Sequence, residues 1–339
     1  MNLNAIFLKE QIIKSVREFF TDQKFHEVIS PVLGKSVPYE PNVYPFSTIW
    51  SNGGKKAVFY LATSPEGYMK KVLAQDIGNC FTIGYSFRNQ EDYSPIHRPE
   101  FLMLEWYREN SNYKEIMEDT QQLIFHIYNQ IMTLQSKSWS KKIPRLLRQS
   151  ADSLGMTNSN KKSSHKWPVI SLIQLFQKYA DLDLEKIISD EEMIKAAAAK
   201  NYNIKSANWE QLFNQIFLNE IESRLGSDPF FILDFPSRIS PLCAKRPDKP
   251  DFAERFEFYL DRMEIGNGNT ENTDAEEVKK TFLAERKQRE KSKMPLPAID
   301  EEFLEALGKM KGKNYSGMGL GIDRLIMVLG EIKDIGEIY

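Results

Sequence analysis

The chain has 339 residues, of which 41% are hydrophobic and 27% are charged, a composition typical of a globular protein that can bury its own core. Lysine and arginine total 45 and aspartate and glutamate total 47, so the formal net charge of −2 excludes a protein that coats polyanions over its whole surface, though not a local basic patch. The sequence has no run of ~18 apolar residues that would predict a membrane span. Its two cysteines, Cys80 and Cys243, are too few for a disulfide framework, which favours a reducing cytoplasm.

The first part of the chain predicts two helices and a short strand. Apolar residues recur at helical spacing over residues 4–20, which predicts an amphipathic helix. Residues 27–33 predict a strand, and Pro31 belongs at its edge or end because proline lacks the donor of a ladder hydrogen bond. Residues 64–74 predict a second helix, with Ser64 as its N-cap.

Residues 81–87 and 101–107 predict two strands of an antiparallel hairpin with a long polar tip, and a helix is predicted over 113–134. Both faces of the second strand are largely apolar, which predicts a central, buried strand. Glu105 is then a carboxylate that needs a partner. Either an internal salt bridge or a bound cationic group, held together with Tyr107, would provide one.

Residues 137–166 form a basic segment that is also rich in serine and asparagine, with Asp152 as its single acid. This composition predicts a solvated linker, and a docking surface for RNA or an acidic protein is the alternative. Residues 167–228 are interpreted as a helical insertion. Its helical pieces are predicted around 172–179, 190–200 and 209–225.

A break at 260–262 divides the strand-like segment 255–265 into a predicted hairpin, and a charged helix is predicted over 274–291. With a two-residue turn at the break, Glu257 and Glu264 face each other, which is unfavourable for like charges. A hard cation such as Mg²⁺ would remove that repulsion and would also bind nucleotide phosphates. The alternative is that both carboxylates point to solvent.

Two glycine-rich segments complete the candidate residues. The glycines within 266–271 let the backbone approach a ligand closely, with Asn267 and Glu271 as polar contacts, and a plain loop is the alternative. A second segment, 317–321, leads into an apolar helix with Arg324 in its first turn. Its spacing is not that of a dinucleotide-binding motif, and it fits a nucleotide or amino acid lying against the backbone.

Arg88 closes the first strand of the early hairpin, and His97 lies where the second strand approaches, so the two are predicted to converge. The guanidinium fork suits a phosphate or a carboxylate, whereas a surface ion pair is the alternative. Antiparallel strands combined with segregated helices predict an α+β fold.

The order of these motifs resembles the catalytic domain of class II aminoacyl-tRNA synthetases, in the subgroup specific for lysine, aspartate and asparagine. The first helix with Pro31 is similar to motif 1, residues 87–105 to motif 2, and residues 317–324 to motif 3. The resemblance implies one catalytic domain over 1–339, with an antiparallel sheet flanked by helices and no N-terminal oligonucleotide-binding fold. This layout is similar to the family that activates (R)-β-lysine and attaches it to a lysine of elongation factor P.

The resemblance implies ATP and Mg²⁺ as cofactors and a lysine-like amino acid as substrate. It implies that Arg88 contacts the substrate carboxylate and the α-phosphate, and that Arg324 contacts the γ-phosphate. The other implied ATP-binding residues are Asn89, Glu91, His97, Phe101, Glu257 and Gly321. The implied Mg²⁺ ligands are Glu257 and Glu264. The implied amino-acid pocket consists of Ser64, Glu66, Glu105, Tyr107, Asn267, Glu271 and Gly319.

Four positions depart from the family pattern. Motif 2 carries Gln90 where glutamate is usual, so Glu91 is assigned the adenine-side role. Arg98 replaces an asparagine, and Asn269 replaces an aromatic residue, which makes the amino-acid pocket more polar. Gly319 is typical of lysyl-tRNA synthetases, whereas β-lysine enzymes tend to carry alanine there, and this favours α-lysine or another substrate.

The implied reaction is attack of an amino-acid carboxylate on the α-phosphate of ATP, followed by transfer of the activated amino acid to a protein such as elongation factor P. One alternative is a stand-alone lysyl-type synthetase paralogue that binds tRNA through residues 137–166. Another is a paralogue that binds amino acid or nucleotide without turnover. Motif 1 further implies a homodimer, and no membrane partner is expected.

Overall fold

The structure is a computed structural model, and it describes residues 2–90, 93–134, 166–205 and 207–339. The strands are β1 (His26–Glu27), β2 (Leu33–Gly34), β3 (Ser47–Asn52), β4 (Lys55–Leu61), β5 (Cys80–Phe87), β6 (Glu100–Glu109), β7 (Val169–Ser171), β8 (Phe230–Leu233), β9 (Lys245–Arg246), β10 (Lys249–Ala253), β11 (Arg255–Leu260), β12 (Met263–Thr270) and β13 (Tyr315–Gly321). The α-helices are α1 (Leu3–Asp22), α2 (Glu66–Leu73), α3 (Tyr113–Leu134), α4 (Leu172–Leu175), α5 (Asp190–Ala199), α6 (Trp209–Ile216), α7 (Ala275–Lys291), α8 (Glu301–Met310) and α9 (Ile322–Gly330).

Within the described residues, eight strands form one sheet in the order β1-β5-β6-β13-β12-β11-β8-β7. The central pairs from β5 to β8 are antiparallel, whereas β1 and β7 join the two edges in parallel. This mixed sheet flanked by helices confirms the predicted α+β fold. The predicted hairpin of β5 and β6 is confirmed, as is the helix over 113–134.

Two apolar cores lie on opposite faces of this sheet. Leu104 and Trp106 of β6 pack into the larger core, to which α1, α3 and α9 contribute. Tyr107 of the same strand faces a second core, to which α2, α7 and α8 contribute. Because successive side chains of a strand point to opposite faces, apolar residues at both sets of positions make β6 the buried centre of the sheet.

The helices between β7 and β8 have a core of their own, centred on Trp209 and Phe213. Helices α4 and α6 each continue into a π-helical turn, Phe176–Ala180 and Phe217–Ile221. These wider turns divide the helical pieces predicted over 172–179 and 209–225, whereas α5 is continuous as predicted. The predicted basic segment 137–166 lies outside the described residues except for Lys166.

One local prediction is wrong, and one alternative is excluded. The strand expected over 27–33 is divided, because β1 pairs with β5 in the large sheet and β2 pairs with β4 in a separate three-stranded sheet. Pro31 lies between them and so breaks no ladder. The segment 266–271 is a strand rather than a loop, since β12 continues to Thr270 and pairs with β13.

The helix predicted from Ser64 begins two residues later, at Glu66, with Pro65 in the N-cap position. The Ser64 hydroxyl still accepts a hydrogen bond from the Glu66 backbone N–H at 3.3 Å. Cys80 and Cys243 are both free and buried. Among the helices of the described residues, none is long and apolar enough to cross a membrane.

Candidate active site

A cavity of about 280 Å³ opens on the sheet where β6, β12 and β13 lie side by side. Motif 2 and motif 3 meet here because β6 pairs directly with β13. The cavity brings together eight of the predicted site residues, namely Arg88, His97, Phe101, Glu264, Asn267, Gly319, Gly321 and Arg324. Residues that are far apart in sequence therefore form one polar cavity.

Arg88 is held at the end of β5 by its neighbours. Its Nε donates a hydrogen bond to the Thr63 carbonyl at 3.3 Å, and its guanidinium lies 5.2 Å from the ring centroid of Phe101. The contact with the ring orients the planar guanidinium. This arrangement suits the binding of an anionic ligand.

Arg324 and His97 form a second fixed pair across the cavity. Arg324 Nη2 lies 2.7 Å from His97 Nε2, and Arg324 Nη1 donates to the Glu264 carbonyl at 2.9 Å. Since arginine can only donate, His97 Nε2 must accept, which leaves the proton on Nδ1, 2.9 Å from the Ser94 hydroxyl. His97 is therefore neutral in this arrangement, and it directs the Arg324 guanidinium.

Glu257 and Glu264 do not face each other across the hairpin as predicted. The hairpin turn lies at Asp261 and Arg262, which places Glu264 opposite Tyr259, and a register shift between Phe258 and Tyr259 then places Glu257 opposite Asn267. The two carboxylates still influence each other, because burial and then the charge of Glu264 raise the pKa of Glu257 to about 8.

The carboxyl of Glu257 is bound by the Arg255 guanidinium at 2.8 Å and by the Tyr259 hydroxyl at 3.1 Å. Glu264 accepts from the Asn267 amide at 3.4 Å. Two carboxylates that repel each other suit a hard divalent cation, with phosphate oxygens and water completing its coordination. The described residues contain no group of three or more metal-binding side chains that would form a complete site.

Beside the cavity lies a carboxylate pocket, formed by Glu66, Glu105 and Glu271 with Tyr107. The Tyr107 hydroxyl donates to Glu105 at 3.1 Å, and burial, followed by the charge of Glu66, raises the pKa of Glu105 well above its ordinary value. Burial also raises the pKa of Glu271 to about 7, although the nearby Lys70 opposes that change.

Lys70 is a residue of this pocket that the sequence analysis missed. Its Nζ lies 2.5 Å from Glu66 and 2.6 Å from Glu271, and its side chain is fully buried. Burial disfavours the ammonium, but the two carboxylates hold the pKa of Lys70 above its ordinary value. The four-residue spacing of Glu66 and Lys70 on a helix is a signal in the sequence for half of this network.

Gly319 connects the cavity with the carboxylate pocket. It lines the cavity, and a Cβ atom at this position would lie 3.8 Å from Cγ of Glu105. Gly317, two residues earlier, is required for another reason, since a Cβ atom there would collide with the ring of Tyr107. The arginines that line the cavity and the carboxylate pocket thus adjoin each other at Gly319.

The remaining predicted residues lie at the margin of this site or outside the residues that the structure describes. Asn89 donates its backbone N–H to the Tyr44 carbonyl at 2.8 Å and does not line the cavity. The Ser64 hydroxyl accepts the Glu66 backbone N–H at 3.3 Å, and its assignment to the amino-acid pocket stays a prediction. Glu91 lies outside the described residues, so its assignment to ATP stays a prediction.

A family model described as tRNA synthetases class II (D, K and N) matches residues 2–339. The chain belongs to this family. The elongation factor P–(R)-β-lysine ligase of Haemophilus influenzae (strain PittGG) is 31% identical over 99% of this chain and 94% of its own length. The corresponding ligase of Proteus mirabilis is 30% identical over 97% of this chain and 92% of its own.

Lysine–tRNA ligase 2 of Methanosarcina mazei is 31% identical over 98% of this chain but only 60% of its own length. The chain therefore matches the (R)-β-lysine ligases over nearly their full length and a part of this longer tRNA ligase. The predicted similarity to class II synthetases of the lysine group is confirmed.

The structure also shows how this class II synthetase accommodates its departures from the family pattern. The Arg98 guanidinium lies 4.4 Å from the ring centroid of Tyr339, which gives this cation a partner at the edge of the cavity. The Asn269 amide donates to the Thr270 carbonyl at 3.0 Å. Both residues are thus held by local contacts.

Proposed function

We propose that the chain is an AMP-forming ligase that activates a lysine-like diamino acid and transfers it to a protein lysine, such as one of elongation factor P. The observation that carries this proposal is the junction of two subsites at Gly319. On one side lie Arg88 and Arg324, which suit phosphates. On the other lie two buried carboxylates, Glu105 and Glu271, and the partly exposed Glu66, which suit ammonium groups.

In the activation step, an oxygen of the amino-acid carboxylate attacks the α-phosphorus of ATP, and the bond to the pyrophosphate leaving group breaks. Arg88 orients the carboxylate and the α-phosphate, and Arg324 binds the terminal phosphate. Glu257 and Glu264 would hold Mg²⁺, which supplies charge neutralisation for the phosphates. Glu66, Glu105 and Glu271 fix the ammonium groups, so the reacting carboxylate is placed without a protein nucleophile.

In the transfer step, the amine of the acceptor lysine attacks the activated carbonyl carbon, AMP leaves, and the amine loses a proton to solvent. The similarity to elongation factor P–(R)-β-lysine ligases over almost their full length supports a protein acceptor. The choice between α-lysine and (R)-β-lysine depends on the pocket. Gly319 has no side chain, as is typical of lysyl-tRNA synthetases, and this favours α-lysine.

ATP–pyrophosphate exchange tests the activation step. We expect exchange with at least one of α-lysine, (R)-β-lysine and ornithine, and none with aspartate or asparagine, whose side chains carry no ammonium. Exchange with aspartate instead of the diamino acids would refute the proposed substrate class. Incubation with elongation factor P and labelled amino acid then tests the acceptor.

A second candidate function is aminoacylation of tRNA, which the similarity to lysine–tRNA ligase 2 of Methanosarcina mazei supports. The basic residues of 137–166 would then provide the contacts to phosphates. In that case tRNA binding weakens steeply as salt is raised, and neutralising those lysines abolishes it. Salt-independent or absent tRNA binding would leave the protein acceptor.

We further propose that the active form is a homodimer of single catalytic domains, located in the cytoplasm. Apolar side chains are exposed near motif 1, with Ile29 at 88% and Leu3 at 64% exposure. The cross-strand pair of Ile49 and Val58 is exposed as well. A second copy of the chain would cover these residues, and sedimentation at micromolar concentration would detect it. The helical insertion over 167–228 belongs to the same domain because β7 and β8 pair into the large sheet.

A further inference from the structure

Tyr339 contacts both of the segments that carry the His97–Arg324 pair of the cavity. Its hydroxyl donates to Asp323 at 2.6 Å, and Asp323 directly precedes Arg324. The centroid of its ring lies 4.4 Å from the guanidinium of Arg98, which directly follows His97. One side chain therefore bridges motif 2 and motif 3 beside the pair.

Asp323 is the side chain through which Tyr339 reaches the start of α9. It is 1% exposed and lines the cavity. Its Oδ2 also accepts from the Leu102 backbone N–H at 2.7 Å, and its Oδ1 accepts from Lys9 at 3.1 Å. Without Tyr339 the buried charge would therefore keep two partners, so the hydroxyl is not needed to satisfy it. Its effect is to fix the carboxylate in the first helical turn, and with it the neighbouring Arg324.

The segment that carries Tyr339 is itself fixed against the turn of motif 2. The Ile335 backbone N–H donates to the Pro95 carbonyl at 2.7 Å, and the Ile335 side chain lines the cavity. Ile335 and Ile338 are both buried in the larger core. The position of Tyr339 is therefore set by packing and by the backbone, so its side chain can hold the residues around it.

We infer that Tyr339 is a positioning residue for the outer phosphates of ATP. Its hydroxyl fixes Arg324 through Asp323, and its ring fixes Arg98, a second cation that lines the same cavity. This inference rests on the proposed function, in which Arg324 binds the terminal phosphate. A nucleotide without the outer phosphates does not use this arrangement.

The test compares Tyr339→Phe with the unmodified chain by calorimetric binding of ATP and of AMP, which lacks the outer phosphates. Phenylalanine keeps the ring beside Arg98 and removes only the hydrogen bond to Asp323. We expect the Kd of ATP to rise about 3- to 10-fold, within the range for one hydrogen bond, because Arg324 is less well oriented. The Kd of AMP should change less than about twofold, which also shows that the variant is folded. Equal increases for both nucleotides, or no increase for ATP, would overturn the inference.

A double-mutant comparison tests whether the effect passes through Arg324. In an Arg324→Met background, Tyr339→Phe should change the Kd of ATP by less than about twofold, because the guanidinium that it orients is absent. The same increase in both backgrounds would show that the hydroxyl acts elsewhere, and would also overturn the inference. Tyr339→Leu removes the ring beside Arg98 as well, so its Kd for ATP should exceed that of Tyr339→Phe.

Tyr202→Phe is the matched control. The Tyr202 hydroxyl donates to Glu220 at 3.0 Å, and Lys200 binds the same carboxyl at 3.0 Å, so a tyrosine and a lysine share one carboxylate here as they do at Asp323. These residues belong to the helical insertion and do not line the cavity. Tyr202→Phe should leave the Kd values of ATP and AMP unchanged, and a loss of ATP affinity equal to that of Tyr339→Phe would contradict a role specific to Tyr339.

The same samples separate this inference from the proposed function. Binding of ATP without ATP–pyrophosphate exchange would refute the ligase activity, while the comparison of Kd values still decides the role of Tyr339. Exchange with unchanged ATP affinity in Tyr339→Phe would refute the role of Tyr339 alone. No binding of ATP by the unmodified chain would refute both.

Discussion

Replacing Lys70 by methionine should destabilise the protein by an amount that depends on pH. Lys70 is fully buried between two carboxylates, at 2.5 Å from Glu66 and 2.6 Å from Glu271. Methionine keeps much of the side-chain volume, so the main loss is electrostatic. Removing one partner from a buried ion pair costs about 3–5 kcal/mol, because the remaining charge has no compensation.

The expected change in melting temperature follows from the size of the chain. At about 2.1 cal/mol/K per residue, 339 residues give an unfolding entropy of roughly 0.7 kcal/mol/K. A loss of about 3–5 kcal/mol therefore lowers the melting temperature by about 4–7 °C at pH 8. Thermal unfolding followed by circular dichroism at several pH values measures it.

The sign of the pH dependence follows from Glu271. Burial already raises its pKa to about 7, and without the Lys70 ammonium that pKa rises further. A carboxyl whose pKa is raised in the folded state is neutral at low pH, so its cost is absent below its ordinary pKa and grows as pH rises from there towards the raised pKa. The effect of Lys70→Met should thus be small near pH 5 and larger at pH 8.

Lys71→Met is the matched control, because Lys71 lies on the same helix and pairs with Asp300 at 2.8 Å from a partly exposed position. Exposed pairs contribute about 0–1 kcal/mol. A loss in Lys70→Met no larger than in Lys71→Met, or a loss of the same size at pH 5 and pH 8, would refute the electrostatic reasoning.

Three further predictions concern the reaction. Arg88→Ala should lower ATP–pyrophosphate exchange by at least about 10²–10³-fold, whereas near-normal exchange would contradict its role. The pKa of Glu257 is raised to about 8, so Mg²⁺ that binds below that pH must displace a proton. The apparent Mg²⁺ affinity should therefore rise roughly tenfold per pH unit below 8. This dependence on pH should disappear in Glu257→Gln. Gly319→Ala should fold normally, since its new methyl would lie 3.6 Å from the nearest atom, and should shift the exchange ratio from α-lysine towards (R)-β-lysine. Gly317→Ala should instead destabilise the fold, because its methyl would collide with Tyr107.

The central strands and their order along the chain were predictable because burial on both faces leaves a clear pattern. The apolar alternation of β6 identified Glu105 as a carboxylate in a buried strand, where the structure places it. The convergence of Arg88 and His97 followed from their positions at the two ends of one hairpin tip. A buried strand and a hairpin tip both depend on residues close together in the sequence, so the sequence pattern could predict them.

Features that depend on long-range contacts or on backbone irregularity were not predictable. The turn lies at Asp261 and Arg262, one residue later than the facing of Glu257 and Glu264 requires, and this difference made that prediction wrong. The register shift after Phe258, which moves Glu257 opposite Asn267, leaves no trace in the residue pattern either. Lys70 was missed because its second partner, Glu271, lies far along the chain, directly after β12.

The two kinds of scaffold that hold the carboxylates have a consequence for how specificity changes in evolution. Glu105 lies in β6 of the large sheet and Glu271 follows β12 directly, so replacing either disturbs the packing beside the central strands. Glu66 instead lies in the first turn of α2, outside that sheet. Under the proposed function, evolution at this end of the helix would change the amino acid that is chosen and leave the strands that carry Glu105 and Gly319 unaltered.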